Sequence, residues 1–209
     1  MINAIAKIIS VAFHPVFMPV YGLFLYFTSG TYLQYLPAEV KKAVFLIVVL
    51  STVVIPLCFF PLYYYSRLIR DIKVAANRER IIPLLFTGFL YFFAYILLVR
   101  IQVPALLKSF MLASAVTIVM ALVVSYWFRI SLHMIGTGGL LGALIGLTLR
   151  LDASLTLAIM LVILLAGVVG TARLVLQKHR PAEVYSGFLL GLVSMSAGLL
   201  LLWRFHLPG

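Results

Sequence analysis

The chain has 209 residues, 65% of them hydrophobic and 10% charged, with a mean hydropathy of +1.19. That apolar share exceeds the roughly 45–50% of ordinary soluble domains, which excludes the soluble classes and leaves an all-α polytopic membrane protein as the expected fold. Sixteen Lys and Arg against five Asp and Glu give a formal charge of +11. With no long basic stripe and no recognition-helix or sheet-type module, the expected partner of that charge is the anionic surface of a lipid bilayer, not nucleic acid.

A helical crossing needs about 17–25 apolar residues. Runs of about that length fall at about 12–29, 43–64, 82–99, 107–128, 134–149, 154–170 and 184–203. They predict one membrane domain over 1–209, a bundle of six to seven transmembrane helices whose short connections leave no room for a soluble domain.

The first run contains "FHPVFMPVYG", with His14 between Phe13 and Pro15. With no acidic residue nearby in sequence, His14 reads as an interfacial anchor together with Tyr21, or as a wall of the path by which a lipid arrives. No Ala-x-Ala-type cleavage chemistry follows this run, so an uncleaved signal anchor is an equal reading. The second run holds the only cysteine, Cys58, beside Phe59 and Phe60, and ends in the aromatic belt Tyr63 to Tyr65. One thiol allows neither a disulfide nor a cysteine metal site within the chain, so Cys58 is expected to be a packing residue.

Next comes "KVAANRERIIP", with Lys73 and Arg80 seven apart, about two turns and one face if the stretch is helical. Arg suits two phosphate oxygens at once, while Lys offers a point charge. Before the fifth run stands "RISLHMIGTGG". Ser131 can donate to a phosphate oxygen, and the His133 imidazole can pass a proton near neutral pH. The fifth run is only about 16 residues long, which leaves a tilted or re-entrant segment open. Its Gly138, Gly142 and Gly146 fall at four-residue spacing, the small-x-x-x-small pattern of close helix contact, and Gly187 and Gly191 repeat it in the last run. The pairing predicts that these two helices pack together and draw His133 toward Glu183.

Between the last two runs lies "ARLVLQKHRPAEV". Pro181 suits a first helical turn, so a helix starting near Arg180 carries Glu183 in that turn. Glu183 can then reach one imidazole nitrogen of His179 and leave the other to attack, with Arg173 nearby as an anion clamp. His179 and Glu183 also have the i, i+4 spacing of a metal pair, but Lys73, Arg80, Arg173, Lys178 and Arg180 crowd the neighbourhood, so an anion is the expected ligand and no metal or cofactor is expected.

Seven crossings bring all three polar segments to one membrane face, which carries ten of the sixteen cations. Setting aside Lys73, Arg80 and Arg173 for a ligand leaves seven against six, too even for the positive-inside rule to orient the chain.

In order, the three segments resemble the signature motifs of the type 2 phosphatidic acid phosphatase superfamily, membrane lipid phosphatases related to vanadium haloperoxidases, whose pattern is K-x(6)-R-P, then P-S-G-H, then S-R-x(5)-H-x(3)-D. The resemblance covers about 73–191. Here proline moves to Pro83, Ile130 and Leu132 replace proline and glycine, Ala172 replaces serine and Glu183 replaces aspartate. The resemblance implies metal-independent hydrolysis of a phosphomonoester or diphosphate of a lipid: phosphatidate, phosphatidylglycerol phosphate or a polyprenyl diphosphate. It implies His179 as the nucleophile that becomes a phosphohistidine, Glu183 as its orienter and His133 as general acid. Lys73, Arg80, Ser131 and Arg173 are then the phosphate-binding residues. It further implies a bacterial inner membrane with the site on the extracytoplasmic side. The alternative is a catalytically inactive relative that binds or transports phospholipid with the same anion pocket.

Overall fold

The computed structural model describes residues 1–59 and 81–202. Lys73 and Arg80 lie outside the described residues. The described chain is all-helical, with seven helical stretches long and apolar enough to cross a membrane. In hydrocarbon a backbone must satisfy its own N–H and C=O groups, which the helix does within each segment.

We label the helices α1 (Ile2–Ala12), α2 (Met18–Phe27), α3 (Ala38–Val49), α4 (Ile81–Arg100), α5 (Ala105–Trp127), α6 (Leu132–Leu151), α7 (Thr156–Val175) and α8 (Pro181–Leu202). Prolines punctuate their starts: Pro37 and Pro104 immediately precede α3 and α5, and Pro181 opens α8. At a first turn proline loses no helical hydrogen bond and supplies the right φ. After α3 a π-helical turn, Leu50–Val54, precedes Pro56. Proline lacks an N–H and crowds the carbonyl four residues back, which accounts for a local widening there.

The fifth apolar run, short by composition, forms the full twenty residues of α6, because Leu132, His133, Arg150 and Leu151 join its ends. α6 is the most buried of the seven. Its closest partner is α8. At Gly138 an added Cβ would overlap the carbonyl of Phe188, and at Gly191 the carbonyl of Ile135, so only glycine lets these backbones touch. The four-residue glycine pattern thus marks the helix contact it predicts. Interhelical hydrogen bonds fix the register: Thr117 pairs with Ser194 at 2.9 Å, the Ser196 hydroxyl donates to the Gly142 carbonyl at 3.3 Å, and Arg150 donates to the Leu200 carbonyl.

The first apolar stretch differs from the expected single helix over about 12–29. Helix begins at Ile2, breaks after Ala12, makes a 3-10 turn at Pro15–Phe17 and resumes at Met18. α2 then runs parallel to α6: Met18 lies against Gly136, Gly22 against Leu140, and the Tyr26 hydroxyl donates to the Ala143 carbonyl at 3.1 Å. α1 packs instead on α7. Cys58 departs from its expected role as well, being exposed on the outside of the bundle.

Candidate functional site

The end of α7 delivers the histidine. Gln177 is left-handed at φ 51°, Lys178 N–H donates to the Arg173 carbonyl at 3.2 Å, and Gln177 N–H to the Leu174 carbonyl at 2.9 Å. This is the double closure that ends many helices, here with glutamine where glycine is usual. It turns the chain sharply, so that Arg173 in the last turn of α7 and His179 in the connection serve the same end of the bundle.

The start of α8 fixes the carboxylate. Arg180 caps the helix, Pro181 takes the first position, and Glu183 at the third reaches back to the Arg180 N–H at 3.3 Å. A glutamate in that position satisfies an otherwise orphaned helix donor. The same oxygen, Oε2, lies 2.7 Å from His179 Nδ1. A carboxylate only accepts, so Nδ1 carries a proton; with the ring neutral, the lone pair is then on Nε2. The side chains are 3% and 12% exposed, so the pair is largely shielded from solvent.

α6 enters from the side. The Ser131 N–H donates to the Glu183 carbonyl at 3.1 Å, while the Ser131 carbonyl accepts from Met134 and Ile135. Gly187 permits the approach, since a Cβ there would stand 2.7 Å from the Ser131 carbonyl oxygen. Ser131 is completely buried, yet its Oγ has no hydrogen-bond partner among the described residues. Native interiors rarely leave such a hydroxyl unpaired without a reason. The first N–H groups of a helix also carry positive potential, which favours an anion beside them.

His133, the second residue of α6 and 9% exposed, has Nε2 3.0 Å from the Ser10 carbonyl. A carbonyl cannot donate, so this nitrogen holds the proton. Arg173 Nη1 donates to the Ser10 hydroxyl at 3.5 Å. Both Arg173 and His179 lie within electrostatic reach of His133. Beneath them Met134, Val169 and Val184 form a small buried cluster joining α6, α7 and α8, against which Ile9 and Phe13 pack.

Of the seven residues singled out in the sequence, five gather here: Ser131, His133, Arg173, His179 and Glu183. The broken first stretch, which precedes all three motifs, contributes two more. Ser10 offers its carbonyl and hydroxyl, and the His14 ring stands edge-on to His133 with centroids 5.3 Å apart. His14 Nδ1 accepts from the Val16 N–H at 3.4 Å, so its proton resides on Nε2. His14, expected at the interface or as a wall of a lipid path, thus also contacts a residue of the site. Ser10 could not have been found from its letter, because the group that matters most is a backbone carbonyl.

Below His14 lies a half-open cavity of about 330 Å³. Residues of the broken stretch, His14, Pro15 and Val16, form its upper wall, and Leu132, Gly136 and Leu140 of α6 form one side. Non-helical backbone at membrane depth is tolerated where it is buried in protein or lines a cavity. Among the described residues, no three of His, Cys, Asp or Glu gather in a way that could hold a metal ion.

Comparison of the chain with protein families, with curated proteins and with solved structures finds no match.

Proposed function

We propose that this integral membrane protein is a lipid phosphatase that removes phosphate from a lipid phosphomonoester or diphosphate through a phosphohistidine. The observation that carries the reading is the 2.7 Å contact between His179 Nδ1 and Glu183 Oε2, which leaves the second imidazole nitrogen as the candidate nucleophile.

In this reading His179 Nε2 attacks phosphorus. The bond from phosphorus to the leaving oxygen breaks, and Glu183 holds the imidazolium that forms. Arg173, the Ser131 hydroxyl and the N-terminus of α6 stabilise the charge on the equatorial oxygens. His133, whose Nε2–H is committed to the Ser10 carbonyl, acts as general acid once Nδ1 has taken a second proton from solvent; that Nδ1 proton passes to the leaving oxygen and the ring is left neutral. It then takes one from the water that attacks the phosphohistidine; the N–P bond breaks and inorganic phosphate leaves. Lys73 and Arg80 join the phosphate-binding set on the strength of the resemblance in sequence, as do the bacterial inner membrane and the extracytoplasmic orientation.

Purified protein is expected to release inorganic phosphate from phosphatidate, phosphatidylglycerol phosphate or undecaprenyl diphosphate in the presence of EDTA. Phosphate binding without release from any of these would make the site a lipid-binding one. Ser131→Ala gives a second measure. Removing a buried hydroxyl with no partner among the described residues is expected to leave stability unchanged or raise it by up to about 1 kcal/mol, while weakening binding of inorganic phosphate roughly tenfold. Thermal unfolding in detergent and calorimetric titration read the two effects, and a loss of stability without a loss of affinity would remove Ser131 from the site.

A further inference from the structure

We propose that the cavity below His14 receives the hydrocarbon chain of the substrate, with His14 at its neck touching the atoms that join phosphate to chain. The proposal rests on the phosphatase reading for the identity of the head group, and on the cavity itself for the rest.

Three observations select a hydrocarbon chain as the occupant. At about 330 Å³ the space falls within the ~300–1,000 Å³ of small-molecule sites. Three of its hydroxyls are already spent within their own helices: Thr87 donates to the Pro83 carbonyl, Ser114 to the Phe110 carbonyl and Thr117 to the Ala113 carbonyl, each at 2.8 Å. A polar ligand finds no open donor among them, and an apolar cavity without polar partners does not hold water well. The wall also has the shape of a channel. Leu132, Ile135, Gly136, Gly139 and Leu140 follow one face of α6 for two turns, roughly 12 Å along the axis.

The neck joins this channel to the polar cluster. His14 lines the cavity and stands edge-on to His133. A phosphate among His133, Arg173 and His179 therefore has one imidazole between it and the apolar space. With Nδ1 occupied by the Val16 N–H, His14 presents Nε2–H as a donor to the linking oxygen. Pro15, next in the break, has no N–H to leave unsatisfied at the cavity wall.

The test uses the purified full chain and monoalkyl phosphates of increasing length. KM is expected to fall by up to about fourfold per added methylene, then level off when the channel is full. Gly139→Leu shortens the channel; a Cβ at Gly139 meets nothing closer than the Gly191 carbonyl at 3.9 Å, so the backbone tolerates it. This variant is expected to move the plateau to shorter chains while leaving kcat on the shortest phosphate unchanged. His14→Leu is expected to raise KM roughly tenfold at every length, the weight of one hydrogen bond, and His14→Gln to restore most of it. Should Gly139→Leu fail to fold, Thr87→Phe on the facing wall serves the same purpose.

A readout independent of turnover separates this proposal from the phosphatase reading. An alkyl phosphate with a terminal diazirine is expected to label Ile118, Leu140 or Met195 upon illumination, and cavity-filling variants are expected to lose that label. Hydrolysis with no dependence of KM on chain length, or labelling confined to outward residues such as Phe89 and Leu161, overturns the chain site and leaves the phosphatase intact. Cavity labelling without hydrolysis of any substrate does the reverse.

Discussion

Replacing His179 by alanine is expected to abolish phosphate release, and Glu183→Gln to lower kcat by about 10²–10⁴-fold with little change in KM. The reason lies in the tautomer. Glu183 Oε2 accepts from His179 Nδ1 and from the Arg180 N–H, so the carboxylate both holds the helix start and keeps the lone pair on Nε2. A glutamine amide can turn its NH₂ toward Nδ1, which moves the proton to the nitrogen that must attack. Rapid quenching of wild-type turnover is expected to trap covalent phosphate on His179, and the alanine variant to show none. Full activity in His179→Ala would end the phosphohistidine reading, whatever the fate of the neighbouring residues.

Gly191→Leu is expected to cost about 3 kcal/mol or more, and in practice to prevent recovery of folded protein from detergent. An added Cβ there overlaps the Ile135 carbonyl and stands 2.7 Å from the Gly139 nitrogen. Both obstacles are backbone, so no rotamer change relieves them. Gly167→Ala is the matched control. Nothing lies within 4 Å of its added Cβ, and its effect is expected to stay within about 1 kcal/mol, favouring alanine by helix propensity. Survival of each variant on heating, followed by size-exclusion chromatography, distinguishes them. Equal melting would mean that the α6–α8 contact does not hold the bundle together.

What the sequence made legible follows from the kind of signal each feature leaves. Five of the apolar runs match helices to within about five residues at each end, and the second, 43–64, overlaps the stretch Ala38–Phe59 with its own end outside the described residues, because lipid demands a long uninterrupted pattern. The glycine spacing at 138, 142, 187 and 191 pointed to α6 against α8, since small residues at four-residue intervals have few other uses in a membrane helix. Pro181 followed by Glu183 foretold both the start of α8 and the reach of the carboxylate. The break after Ala12 was harder to see. Pro15 and Pro19 both stand in the first run, but prolines also occur inside continuous membrane helices, so the letters alone did not say whether the chain kinks or stops. The part played by α1 was hidden for another reason. Ser10 contributes a carbonyl that any residue possesses, and His14 lacks a nearby partner in sequence because its partner, His133, arrives from α6.

The glycine seam also assigns motion. Ser131 and His133 ride on α6, His179 and Glu183 at the head of α8, and two backbones in direct contact leave no compressible side chains between them. Those four residues therefore move as one body. At the site α1 is joined to that body by the His133–Ser10 hydrogen bond and by Ile9, which packs on the cluster containing Met134 and Val184, while the His14 ring meets His133 just beyond the helix. In the proposed phosphatase, a lipid that passes His14 thus meets a catalytic floor held rigid by α6 and α8.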